Sequence, residues 1–128
     1  MGTDFQELTL QAAIAGGLLG EDRPLAAFLD TEAIVRTIES LNAAFPSHFR
    51  HMFAAKANTM SAALDLVRSA GMGCEVASPG ELEQALRSGF RPQDIVFDEP
   101  AKTVAVLRRV LHLGVALNID NFQELERV

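Results

Sequence analysis

Phe53-Ala54-Ala55-Lys56-Ala57-Asn58 is a short apolar run that ends in one lysine, followed at once by a small residue and an asparagine. Outward from it the chain becomes regular. Apolar runs end near Ala55, Val76, Phe97 and Asn118, spaced 21 residues apart each time. Amphipathic stretches fill the intervals. Ala63, Leu66, Val67 and Ala70 share one helical face, as do Leu82, Ala85 and Leu86, and Val104, Leu107 and Leu111. Gly71, Gly89 and Gly114 fall just past the expected helix ends, where a left-handed cap is needed.

Strands alternating with helices at short, even spacing predict βα units and a parallel sheet. Equal units favour a barrel over an open doubly wound sheet. A closed (β/α)₈ barrel takes eight units and typically about 250 residues. This chain has 128 residues and about four units. The expectation is an α/β fold, half of a TIM barrel, truncated. Asn121 to Val128 begins an amphipathic helix, with Leu125 and Val128 predicted to point inward. The stop in mid-helix predicts a fragment, a truncated reading frame, or a half-barrel that must pair.

Before the regular region, Leu8 to Leu19 is apolar but broken by Gly16-Gly17, and reads as a short helix or hairpin-like lead-in. Gly20 to Pro24 reads as a polar turn, and Leu25 to Leu29 as a strand ended by Asp30-Thr31. A helix with Ile34, Ile38, Leu41 and Phe45 on one face follows, and Pro46 stops it.

Composition narrows the function. The chain is 48% hydrophobic and 22% charged, as expected of a globular domain. Its formal net charge is -6, and the acidic excess is shared evenly by the two halves. With no basic patch, nucleic acid and anionic membranes are disfavoured as partners. One cysteine, Cys74, excludes an internal disulfide framework and suits a reducing cytoplasm. No basic n-region marks a signal peptide, and no apolar run is long enough to span a bilayer. Met1-Gly2 could begin a myristoylation signal, but Gln6 stands where that signal takes Ser or Thr.

In parallel barrels, active residues lie at the carboxyl ends of strands and in the loops after them. Lys56 and Asn58 follow the first strand, Glu75 and Ser78 the second, Asp98 and Glu99 the third with Lys102 nearby, and Asn118 and Asp120 the fourth. His48 and His51 precede the first strand, on the opposite face, and His112 lies near a helix end. From its position alone Lys56 reads as a solvated strand-end lysine; the alternative is a Schiff-base lysine, which needs a partly neutral amine, and burial beside apolar residues lowers a lysine pKa. A carboxylate closing an apolar strand pairs with a cation or faces a cavity, and Lys56 is one strand from Glu75. Ser78-Pro79-Gly80-Glu81 makes a capping box. Glu75, Asp98, Glu99 and Asp120 form the alternative site, a set of oxygen ligands for a divalent metal. Cys74 should alternate away from Glu75, toward the core or the helices.

Four segments also carry a family resemblance. Pro24 to Asp30, Phe53 to Asn58, Gly73 to Leu82 and Ile95 to Thr103 resemble, in order and spacing, the fold-type III pyridoxal-phosphate decarboxylases. That is the group of diaminopimelate, ornithine and arginine decarboxylases, with the alanine-racemase-like barrel. Val76-Ala77-Ser78 and Glu81-Leu82 look closest to the diaminopimelate branch. Thr59-Met60 departs from the alanine racemases themselves. The resemblance divides a lead-in, 1–24, from a partial pyridoxal-phosphate-binding barrel, 25–128.

The resemblance implies an N-terminal fragment of an amino-acid decarboxylase active in lysine biosynthesis. Lys56 would form the Schiff base with pyridoxal 5'-phosphate, and Glu75, Asn58 and Ser78 would shape the cofactor's surroundings. Glu75 stands where the family has aspartate, and Asp98-Glu99 replaces a small or neutral pair. The resemblance also implies an amino-acid substrate and a homodimer in the full-length form. The ring-stacking histidine, glycine-rich phosphate loop and β domain of the family lie outside these 128 residues, so the isolated chain is expected to be inactive. The alternatives are a non-catalytic interaction or regulatory homologue of the same fold, and a metal-dependent barrel enzyme using the acidic mouth.

Overall fold

In the computed structural model, residues 3–128 are described; Met1 and Gly2, where the myristoylation question falls, lie outside them. The chain forms two compact units, Met1–Asp30 and Thr31–Val128.

The first unit holds α1 (Thr3–Ala15). The helix ends where Gly16-Gly17 was expected to break it, and Gly17 takes a positive φ of 69°. A turn follows, closed by a bridge between Gly20 and Arg23. Leu25 to Leu29 was expected to be a strand and is not one. A strand needs a neighbour for its backbone groups, and no described segment pairs with this one. Leu25 is 89% exposed. An apolar groove lies within this unit, lined in part by Phe5, Leu10, Leu19, Leu25 and Phe28.

The second unit opens with α2 (Thr31–Ala44), of which Ile38 is buried. Then come β1 (Met52–Ala54), α3 (Ser61–Ser69), β2 (Gly73–Val76), α4 (Pro79–Arg87), β3 (Ile95–Phe97), α5 (Val104–Leu113), β4 (Ala116–Leu117) and the one-turn α6 (Phe122–Leu125). Single 3-10 turns, Ala55–Ala57 and Pro92–Asp94, follow β1 and precede β3. The four strands form one sheet in the order β1-β2-β3-β4, all parallel. This is the expected half-barrel of four βα units.

Register explains the sequence period. Phe53 pairs with Cys74 and Cys74 with Ile95, an offset of 21 residues at both junctions. Val96 pairs with Ala116, so the third offset is 20. There the chain turns at once from α5 into β4 through Gly114, which caps the helix at φ 75°.

Paired residues share a face, and faces alternate along a strand. Phe53, Cys74 and Ile95 form one row, and Val76, Phe97 and Leu117 the next row on the same face. These residues join Leu64, Val67, Leu82, Ala85 and Val110 of the helices in the core cluster. The other face carries Ala54, Glu75, Val96 and Ala116. None of those four is fully buried.

Two expected faces differ. On α5 the core residues are Leu107 and Val110, while Val104 and Leu111 are each 42% exposed. The spacing of 104, 107 and 111 fits a helical stripe, but Val110 packs in the core cluster with Val106 against it, and Leu107 is fully buried. At the carboxyl end, Leu125 and Val128 are 56% and 52% exposed, and Glu124 is the buried residue of α6. The cause is electrostatic: a buried cation draws Glu124 inward.

Candidate functional site

All four strands present their carboxyl ends to one edge of the sheet. At the first, fully buried Ala55 anchors the 3-10 turn that carries Lys56. Asn58 closes the turn. Its N–H donates to Ala55 O at 3.0 Å, and its Oδ1 accepts from Met60 N–H at 3.0 Å. The second bond is an Asx turn, a short polar side chain standing in for backbone. Lys56 itself is exposed, not buried as an activated amine was expected to be. It makes no hydrogen bond or ion pair among the described residues.

Glu75 is half-buried on the face away from the core, and Cys74 beside it is fully buried, as alternation predicts. Burial, with Glu75 and Glu81 nearby, pushes the Cys74 thiol up to about 12. The Lys56–Glu75 ion pair suggested by strand adjacency is not among those formed in the described residues.

Ser78 caps α4. Its Oγ accepts from Glu81 N–H at 3.1 Å, as the capping box requires. The return bond differs from the usual box. Glu81 Oε2 accepts from Ala77 N–H at 2.8 Å, one residue before the cap. The same arrangement recurs at α6. Asn121 Oδ1 accepts from Glu124 N–H at 2.8 Å, and Glu124 Oε2 accepts from Asp120 N–H at 2.9 Å.

The loops after β3 and β4 hold the least expected feature. Asp98 N–H donates to Val76 O at 2.8 Å, and Glu99 Oε2 is buried without a hydrogen-bond partner among the described residues. Lys102 has a fully buried side chain. Its Nζ donates to Asp120 Oδ2 at 2.7 Å and to Glu124 Oε2 at 3.0 Å. Burial alone pulls an ammonium pKa down. Here the hydrogen bonds and charges of Asp120 and Glu124 outweigh it, and the Lys102 pKa is raised. Lys102 was read from sequence only as lying near the acidic pair. The signal for its partners was Asn121-x-x-Glu124, a second capping box that places a glutamate beside the fourth loop.

Asp120, offered as a metal ligand in the alternative reading, is thus occupied by Lys102. Among the described residues, no group of three or more His, Cys, Asp or Glu side chains is placed to hold a metal ion. His51 and His48 lie at the opposite edge. His51 packs against Phe45 with ring centroids 5.0 Å apart, and its carbonyl accepts from Gly73 N–H. A cavity of about 380 Å³ at that edge is lined in part by Arg50, His51, Arg68, Arg91 and Asp94. Arg50 and Arg91 both pair with Asp94 there, far from the strand ends that carry Lys56.

Comparison with known proteins agrees with this geometry. Residues 31–128 match the family described as pyridoxal-dependent decarboxylase, pyridoxal binding domain. The diaminopimelate decarboxylase of Bacteroides thetaiotaomicron is 33% identical over 103 residues, which is 77% of this chain and 26% of that protein. The crystal structure of Helicobacter pylori diaminopimelate decarboxylase complexed with L-lysine superposes with a TM-score of 0.69 at 29% identity, over 77% of this chain and 25% of that one. A Vibrio vulnificus lysine/ornithine decarboxylase complexed with putrescine, 21% identical, shares the fold with a TM-score of 0.74 over 99% of this chain and 33% of its own. The chain therefore spans about a quarter to a third of the length of these relatives. The cofactor of the family is pyridoxal phosphate. With its parallel half-barrel and the lysine at the end of the first strand, this chain belongs to the pyridoxal-dependent decarboxylases, through their pyridoxal-binding domain.

Proposed function

We propose that this chain is the cofactor-anchoring part of an amino-acid decarboxylase of the diaminopimelate type, with Lys56 as the residue joined to the carbonyl carbon of pyridoxal phosphate. The contrast between the chain's two lysines carries this reading. Lys102 is buried between two carboxylates, whereas Lys56 is exposed at a strand end. An amine without an internal partner fits the carbonyl end of such a cofactor.

Pyridoxal phosphate, when bound, supplies the electron sink that lets a carboxylate leave as CO₂. The chain's own residues position and exchange protons around it. Lys56 offers the amine, and once released from the carbonyl it can take or give a proton at Nζ. Glu75 places a carboxylate on the same sheet face as Ala54, two residues before Lys56. Asn58 has committed its Oδ1 to Met60, which leaves its amide N–H groups to donate. Ser78 Oγ accepts from Glu81, which leaves its own proton to donate.

The row Ala54, Glu75, Val96, Ala116 is one wall of a site. In this reading the chain alone anchors cofactor but does not turn over substrate. The complete enzyme is a cytoplasmic homodimer acting on an amino acid in lysine biosynthesis. The lead-in, 1–24, and the partial barrel, 25–128, would be two of its parts.

The test is incubation with pyridoxal phosphate, borohydride reduction and peptide mapping. The amine adds to the aldehyde with loss of water, and hydride fixes the product as a secondary amine. Label on Lys56 is expected. Label elsewhere with Lys56 unmodified would overturn the assignment. CO₂ release from diaminopimelate by the isolated chain would overturn its predicted inactivity.

One observation favours a second reading, a non-catalytic interaction module. Near edge strand β4, Phe122 is 85% exposed, along with Leu125 and Val128, and open edges invite association. A stable monomer in size-exclusion chromatography would count against it.

A further inference from the structure

The proposed function leaves the buried lysine unused. Both lysines of the chain lie beyond the carboxyl ends of strands, Lys56 after β1 and Lys102 after β3. Both therefore stand on the edge where a carbonyl compound would bind. Their surroundings are opposite. Lys56 is exposed, while the Lys102 side chain is 0% exposed and Glu124 opposite it only 6%.

The contacts around Lys102 are shared across two loops. Glu124 Oε2 takes both the Lys102 ammonium at 3.0 Å and the Asp120 N–H at 2.9 Å. Asp120 Oδ2 takes the same ammonium at 2.7 Å. Asn121 holds the first turn of α6 through Glu124 N–H. The loop after β4 is otherwise held by Asn118 N–H, which donates to Phe97 O at 3.0 Å. The strand is two residues long, and α6 is a single turn.

We propose that Lys102 is a positioning residue: its ammonium, enclosed by Asp120 and Glu124, ties the loop after β3 to the loop after β4 and withholds the second amine of this edge from carbonyl reagents. The tie stands on the distances alone. The withholding matters for function through the reading of Lys56 as the carbonyl anchor. An amine attacks a carbonyl with a free lone pair. An ammonium donating to two carboxylates presents none.

The experiment uses the 128-residue chain and pyridoxal phosphate as the reagent, with borohydride reduction and separate quantification of the peptides holding Lys56 and Lys102. In the unaltered chain, label on Lys102 is expected to be at least about tenfold below that on a lysine of an unfolded control peptide. In E124Q and in the double variant D120N/E124Q, label on Lys102 rises about tenfold or more, because the carboxylates no longer hold the proton on Nζ. Amide hydrogen exchange gives the second readout. Exchange at Asp120 N–H accelerates in K102M and stays slow in K102R, which keeps the cation.

Lys102 labelled as readily as the control peptide in the unaltered chain would overturn the withholding. Unchanged exchange at Asp120 in K102M would overturn the tie. If K102M does not fold, exchange at Asp120 in K102Q, which removes the cation and leaves Glu124 in place, decides the same point. Failure of Lys56 to take label, with Lys102 protected, would overturn the anchor assignment and support the withholding, so the two fail separately.

Discussion

Glu75 lies directly opposite Ala54 in the parallel register of β1 and β2, on the sheet face that turns away from the helices. That register puts a half-buried carboxylate beside the strand that leads into Lys56. Its neighbours in the row, Ala54, Val96 and Ala116, carry no charge. The lysine and the carboxylate are close in topology but not joined, so each is available to a third group.

Lys56→Met should abolish the borohydride-fixed pyridoxal label on that peptide. Because the side chain is exposed, the stability should change by no more than about 0.5 kcal/mol. Mass spectrometry of the digest and urea denaturation check the two halves. A large loss of stability would mean the lysine has a structural role that its exposure does not suggest.

Glu81→Ala removes the acceptor of Ala77 N–H and the return arm of the box at α4. A loss of about 1 kcal/mol is expected, and Ser78→Ala should cost a similar amount. Combined, the two should fall short of additivity, since they cap the same first turn. Denaturant midpoints of the single and double variants give the comparison.

Stability should fall at high pH because of Cys74. Its thiol is raised from 9.0 to about 12 in the folded chain. The unfolded chain therefore loses this proton first as pH rises. The contribution is fully present below pH 9, and it is lost from there up to about 12, with a slope approaching 1.4 kcal/mol per pH unit. Unfolding curves for the unaltered chain and Cys74→Ala should converge across that window. Iodoacetamide should alkylate the native thiol far more slowly than the unfolded one.

Gly73→Ala should destabilise the sheet by about 1–3 kcal/mol, the usual cost of overpacking. A Cβ there would meet the Met52 side chain and lie 2.7 Å from the Asp94 carbonyl oxygen. The methionine can move aside, but the backbone oxygen cannot. Thermal unfolding of this variant beside Gly80→Ala, where the nearest atom lies 3.8 Å away, separates the clash from a general glycine effect.

The period of 21, the glycines past each helix and the alternation of apolar residues were legible because they are local. Each follows from backbone geometry and a one-sided burial pattern. Ser78 and Glu81 were legible for the same reason, since a cap is made by residues three apart. Cys74 faces the core as strand alternation requires. Leu25 to Leu29 was misread because a strand is not local: its hydrogen bonds need a second segment, and composition does not say whether one is there. The inward face of α5 and the role of α6 failed similarly, because several stripes fit a helix and only the neighbouring sheet chooses one.

The sequence by itself determined the parallel half-barrel, the edge on which polar residues collect, and the placing of Lys56 at the first strand end. Burial, pairing and availability were decided only by the tertiary structure. Two lysines that look alike in sequence differ because two carboxylates, 18 and 22 residues downstream, fold back onto Lys102. Among the described residues no fold-back of this kind reaches Lys56, which stays exposed. Charge pairing across loops depends on three-dimensional proximity, and strand periodicity does not encode it.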